Sequence, residues 1–148
     1  MPLYGFKERF CPFVMDGTKK QTIRAYRKRP TRPGDFAYLY YGLKTKYAKR
    51  LLEPQKIKEV KTVVIMKDCI LVLDTDKLSE AEAALIISGK FPKGKMNHQV
   101  LMHEGELNDF AWSDGFRFDD VEQRYGCFRL MKMYFGNSLP FVGNLIKW

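Results

Sequence analysis

Residues 17–35, GTKKQTIRAYRKRPTRPGD, constrain this chain more than any other stretch. They open on a glycine turn and pass through a strand-like piece, Gln21-Thr22-Ile23-Arg24-Ala25. A basic loop follows, and Pro33-Gly34 closes it. In a strand, successive side chains point to opposite faces. Thr22 and Arg24 therefore share one face, while Ile23 turns to the core. Seven cations, Lys19, Lys20, Arg24, Arg27, Lys28, Arg29 and Arg32, lie in this stretch with no acid between the first and the last. Arg29-Pro30 and Arg32-Pro33 hold the loop extended, because a residue before proline avoids the helical region. A loop pre-set in this way loses less entropy on meeting a ligand. A hydroxyl beside a guanidinium, next to a loop of cations, suits an anionic ligand better than it suits packing.

The rest of the charge follows the same bias. Residues 1–61 hold 16 Lys/Arg against 5 Asp/Glu, whereas residues 62–148 hold 10 against 12. A basic half on a near-neutral half is an electrostatic footprint for a polyanion. Arginine forks fit phosphate, and Tyr26, Tyr38, Tyr40, Tyr41 and Tyr47 are interleaved with the cations as surfaces for base stacking. The same tyrosines also suit a half-buried sheet. At 148 residues with 45% apolar content, one domain with a proper core is expected. No apolar run is long enough to cross a bilayer, and the first ten residues lack the apolar stretch of a signal peptide. Cys11, Cys69 and Cys127 are far apart with no C-x-x-C, which reads as free thiols in a cytoplasmic protein without a zinc site. His98 and His103 sit five apart, off any common helical face, and read as surface or loop residues. No metal, cofactor or membrane is implied, and neither a Rossmann glycine fingerprint, a Walker A loop, a G-x-S-x-G nor an H-E-x-x-H is present.

Along the chain, residues 3–6 alternate weakly, as a first strand would. Residues 7–15 place Phe10, Phe13 and Val14 at helical spacing, but Pro12 makes that helix short or kinked. Residues 36–41 predict a strand. Residues 47–52, YAKRLL, predict one or two basic helical turns stopped by Pro54, part of an insertion over 42–56 lying near the basic loop. Residues 57–65 alternate and then turn continuously apolar, a strand passing from edge to core. Residues 70–73 predict another strand. Residues 78–88 predict a helix with a Ser79/Glu82 capping box and a stop at Gly89. Residues 90–100 read as a loop with three lysines. Residues 107–114 predict a helix capped by Asn108 and closed by Gly115. A further helix is expected from Asp119, with Val121, Tyr125, Phe128, Leu130 and Met131 on its apolar side. Residues 141–148 predict a closing strand.

The order G-x-K-x-x-T-I-R, seen here as Gly17-Thr18-Lys19-Lys20-Gln21-Thr22-Ile23-Arg24, then Gly34-Asp35 before the apolar run from Phe36, resembles the signature of ASCH domains. These belong to the PUA-like superfamily. The resemblance covers about the first forty residues. It implies an α+β fold: a small, mostly antiparallel PUA-like β-barrel of about five or six strands with helices on its rim. It also implies RNA or a nucleotide as partner. Some small ASCH proteins hydrolyse the amide of acetylcytidine, and others are proposed ribonucleases. Carried over from the amidohydrolases, Lys19 would be the proton acceptor, Thr22 the nucleophile and Asp114 the proton donor. A desolvated lysine can take a hydroxyl proton, and a carboxyl group can protonate a leaving amine. The carboxylate here is Asp rather than Glu, and insertions at 42–56 and 86–103 lengthen the chain.

Three function classes thus stand open on sequence alone. The first is an RNA- or nucleotide-binding module, with Lys19, Lys20, Arg24, Arg27, Lys28, Arg29 and Arg32 on the ligand and a Lys19/Thr22 cleft. The second is a hydrolase on modified cytidine or RNA, and the third a protein-interaction adaptor whose charge only keeps it dissolved.

Overall fold

The backbone hydrogen bonds sort the strands into two sheets. A computed structural model describes residues 2–90, 98–120 and 122–148. β1 (Leu3–Phe6) runs parallel to β3 (Phe36–Tyr41), whose other side takes β4 (Lys49–Arg50) and β5 (Gln55–Lys56) antiparallel. The larger sheet holds β2 (Gln21–Arg24), β9 (Phe141–Lys147), β6 (Glu59–Ile65), β7 (Ile70–Leu73) and β8 (His98–Leu101), in that order and antiparallel throughout. The fold is α+β with mostly antiparallel sheets, and the ladders among the described residues do not close into a barrel.

One segment joins the sheets. The chain leaves β5 and trades backbone bonds between Ile57 and the Gly34-Asp35 turn, 2.8 Å in both directions. Lys58 then donates to the Lys147 carbonyl at 2.8 Å, and the chain continues as β6. Gly34 has a φ of +94°, the left-handed region in which only glycine is at ease. The seam on the other side, between β1 and β2, has no ladder among the described residues. Side chains cross it instead: Arg24 Nη2 donates to the Gly5 carbonyl at 2.7 Å, and Arg27 Nη2 donates to the Leu3 carbonyl. Leu3 and Gly5 are two apart on one strand, so their carbonyls turn to the same edge.

Alternation along β6 and β7 explains why residues 63–65 read as an unbroken apolar run. Val63, Ile65 and Ile70 belong to the main core, whereas Val64, Leu71 and Leu73 face the other way. There α2 (Glu80–Ile87) covers them with Ile86, and both bonds of the Ser79/Glu82 capping box are formed. A sheet buried on both faces needs apolar residues at every position.

Several expectations need correction. Residues 47–52 form no helix: Leu51 N–H bonds to the Leu39 carbonyl, and Lys49–Arg50 pair with β3. An open strand edge outcompetes a lone helical turn, which is marginal in water. The loop expected up to residue 100 ends earlier, since His98–Leu101 pair with β7, while residues 91–97 lie outside the described residues. The helix α3 spans Glu104–Ser113 with His103 at its N-cap. Asn108 is instead buried within it, and its Oδ1 accepts the Phe128 N–H at 3.0 Å, at the start of α4 (Cys127–Phe135). That last helix begins later than Asp119; Tyr125 precedes it and is 73% exposed, and Val121 lies outside the described residues. The helix of residues 7–15 is short, as Pro12 demands, with a 3-10 turn at Glu8–Phe10 leading into α1 (Cys11–Met15). The closing strand expected over residues 141–148 is present as β9, and it lies between β2 and β6. Among the described residues no helix is long and apolar enough to cross a membrane.

Gly143 sits where β9 meets the end of β2. A Cβ there would lie 2.3 Å from the Arg24 carbonyl oxygen and 2.8 Å from the Phe141 ring. Gly143→Ala is expected to cost about 1–3 kcal/mol by chemical denaturation, since backbone and not a flexible side-chain end must give. A variant as stable as the native chain would contradict this close approach.

Candidate functional site

The site is built where α1 hands over to β2. The helix ends at Asp16, and Gly17 turns the chain with a φ of +80°. Asp16 Oδ1 accepts from the Thr18 N–H at 2.8 Å and its hydroxyl at 2.6 Å, which fixes the turn and holds the Asp16 carboxyl below the ordinary range. Lys19 N–H reaches the Phe13 carbonyl at 2.8 Å. These bonds aim the Lys19 side chain inward, where it is 2% exposed.

Asp114 arrives from the C-terminal end of α3 and is also buried. Lys19 Nζ donates to the Gln21 carbonyl at 2.8 Å, to the Asp114 carbonyl, and to Asp114 Oδ1 at 3.3 Å. Gly115, with a φ of +92°, turns the chain away at once; a Cβ there would meet Phe10 at 2.9 Å and the Lys19 stem at 3.0 Å. Arg117 clamps the two approaches. Its Nη1 donates to Thr18 Oγ1 at 2.8 Å and its Nε to the Trp112 carbonyl at 3.0 Å, while its guanidinium stacks 3.8 Å from the Trp112 ring centre.

Lys19, Thr22, Arg24 and Asp114 all line one pocket of about 200 Å³. Its remaining walls are largely aromatic: Phe6, Phe10, Phe116, Tyr134 and Phe135. Phe10, Phe116 and Tyr134 meet edge to face, with centroids 5.3–5.9 Å apart. The pocket lies against Gly5 and Phe6 of β1 and Thr22 to Arg24 of β2, at the seam that side chains bridge. Thr22 Oγ1 accepts from Arg24 Nε at 3.1 Å, so the hydroxyl and guanidinium do share a face. The Arg24 guanidinium also stacks over Phe6 at 5.1 Å.

Burial governs the electrostatics. It pushes the Lys19 ammonium below its ordinary pKa, with Asp114 opposing, and pushes the Asp114 carboxyl above the carboxylate range, with Lys19 and Arg24 opposing. The Gln21 side chain favours the Asp114 carboxylate too, yet among the described residues its buried Nε2 finds no acceptor within hydrogen-bond geometry. Burial likewise lowers Arg24.

The other cations of the motif are placed differently. Lys20 lines a separate hollow with Lys58 and Lys147. Arg27, Lys28, Arg29 and Arg32 are exposed on the loop, which is pinned by a 2.6 Å bond between the buried Thr31 hydroxyl and Tyr4. Of the tyrosines, Tyr26 ties Thr62 to the Leu78 N–H and is engaged in the fold, while Tyr47 is 72% exposed. The cysteines are free thiols. A broader groove of about 730 Å³ along α3 and α4 is lined by Met102, Leu107, Tyr125 and Met133 among others. Among the described residues it holds no buried charge, unlike the smaller pocket. Neither Arg117 nor the aromatic walls follow from a motif; the density of rings around Asp114 (Trp112, Phe116, Phe118) was the available signal.

No protein-family model, curated protein or solved structure matches this chain.

A folded-state pKa raised above the unfolded 3.8, as at Asp114, gives stability that is full below the unfolded value and lost as pH rises through the folded one. Removing Lys19 takes away the cation that opposes this shift. Lys19→Met is expected to cost about 3–5 kcal/mol at neutral pH. The deficit against the native chain should shrink as pH falls and Asp114 takes up a proton, measured by urea unfolding at about pH 7 and about pH 4.5. A deficit independent of pH would contradict an uncompensated carboxylate as its cause.

Proposed function

We propose that this chain is a cytoplasmic RNA- or nucleotide-binding domain of the ASCH, PUA-like type, taking a base into the aromatic-walled pocket. The observation that carries this reading is the meeting of Lys19, Thr22, Arg24 and Asp114, from both halves of the sequence, inside that one pocket. Buried ionisable groups are costly and cluster where they act on a ligand. A concave, mostly apolar site with a few convergent polar groups is the usual form of a small-ligand pocket. Aromatic faces contribute about 1–3 kcal/mol per stacked base, and the exposed Lys28, Arg29 and Arg32 supply cations for a phosphate backbone.

A second reading is supported by the same convergence: hydrolysis of an acetylated cytidine, with Thr22 as nucleophile, Lys19 as base and Asp114 as acid. It ranks behind binding for a geometric reason. All three Lys19 N–H bonds go to Gln21 and Asp114, and Thr22 Oγ1 is engaged by Arg24. Lys19 must release an acceptor and a proton before it can serve as base, whereas binding requires neither. Thr22→Ala should abolish acetate release from acetylcytidine in a chain that still folds; undiminished turnover would remove Thr22 as nucleophile.

For binding, affinity for single-stranded RNA should fall linearly in log salt, with a slope of about −0.7 per phosphate neutralised. Replacing Arg27, Lys28 and Arg29 together by alanine should flatten that slope. An unchanged slope would take the loop off the binding surface.

A further inference from the structure

A second hollow opens beside the pocket, on the β1 side of the seam. It measures about 430 Å³ and shares Gly5, Phe6, Lys7 and Arg24 with the pocket. Among the described residues four cations line it, Lys7, Arg24, Arg27 and Lys44, and no carboxylate does. Two of them share a ring and feel each other's charge: the Arg24 and Arg27 guanidinium groups lie 5.5 and 4.5 Å from the centre of the same Tyr4 ring, and the Arg27 charge works against that of Arg24. Each is fixed by a carbonyl of β1, Gly5 for Arg24 and Leu3 for Arg27. Lys44 stands on a turn tightened by Thr45, whose N–H and hydroxyl both donate to the Gly42 carbonyl at 2.9 and 2.8 Å. Asp35, the acid that ends the loop, is engaged in its own turn, where Oδ2 accepts the Arg32 N–H at 2.9 Å.

Like charges fixed side by side repel one another, and the repulsion is relieved when an anion sits between them. Guanidinium forks match phosphate oxygens in geometry, and lysines add charge without demanding a direction. Four cations suit a terminal phosphate, which approaches two negative charges near neutral pH, better than the single charge of a diester. Arg24 belongs to both compartments. Its Nε holds Thr22 on the pocket side while its guanidinium borders the hollow, so a base in the pocket and a phosphate in the hollow would be joined across it.

We infer that the hollow lined by Lys7, Arg24, Arg27 and Lys44 is a phosphate subsite of the same site. Its ligand is then a nucleotide bearing a terminal phosphate, free or at an RNA end, rather than a nucleoside. This inference rests on the base-binding reading of the adjoining pocket.

The test is calorimetric titration of the full chain. The probes are the four ribonucleosides, their 5′- and 3′-monophosphates, a short single-stranded RNA with and without a terminal phosphate, and inorganic phosphate. At least one monophosphate should bind about tenfold or more tighter than its nucleoside, a gain typical of charge-assisted contacts. That gain should collapse in Arg27→Gln and in Lys44→Gln. Lys44 is exposed, so the second variant keeps the test decisive if the first does not fold. Preference for the mononucleotide over the phosphorylated RNA, or the reverse, identifies the source of the phosphate. Nucleosides and nucleotides binding alike, or a gain that survives both substitutions, would overturn the subsite and leave the base pocket standing. Inorganic phosphate bound in a Lys44-dependent way, with no nucleoside or nucleotide bound more tightly, would support the subsite and overturn the base-binding reading. Binding of none of the probes would overturn both.

Discussion

The buried contact between Lys19 and Asp114 is the constraint on which the site depends. It joins residues 95 apart in sequence, one at the entry to β2 and one at the end of α3. Neither group is at ease there, since burial works against the charge of each. Apolar residues of similar volume often hold a core together as well as an ion pair does. The chain instead surrounds this pair with further devices: glycines at 17 and 115 in left-handed turns, and the Arg117 clamp between Thr18 and the end of α3. Those devices fix where the pair sits in the wall of the pocket.

The sheet architecture supplies the place. The segment from β5 into β6 joins the two sheets along one side by continuous backbone bonding. On the opposite side, β1 and β2 are linked by arginine side chains reaching backbone carbonyls. A backbone ladder would bring two strands within about 5 Å of each other. Guanidinium bridges hold them without such a ladder, and the pocket lines the residues of both strands. Arg24 spans the seam and also borders both compartments.

Local signals in the sequence carried much of this. The period-two reading of Thr22 and Arg24, the Pro33-Gly34 close of the basic loop, the capping box at Ser79 and the strand pattern of residues 57–65 all follow from short-range chemistry, and each has its counterpart in the structure. The misreadings share a cause. Residues 49–50 became a strand because β3 offered an edge, and Asn108 became a cap for another helix because α4 packs against α3. Both depend on a partner in another element, which the segment's own periodicity does not encode. The meeting of Lys19, Thr22 and Asp114 was expected through the ASCH resemblance, while the aromatic walls and the Arg117 clamp were not. They come from Phe6 of β1, Phe10 of the 3-10 turn, Tyr134 and Phe135 of α4, and Phe116 and Arg117 after α3, with no common spacing to mark them.

The most direct measurement is a backbone amide NMR titration of the labelled chain with mononucleotides. Binding in the seam should move the resonances of Gln21 to Arg24, of Asp114 to Phe116 and of Tyr134 together, saturating with one dissociation constant. Shifts confined to the groove along α3 and α4, around Met102, Tyr125 and Met133, or no shifts at all, would contradict a nucleotide site built on Lys19 and Asp114.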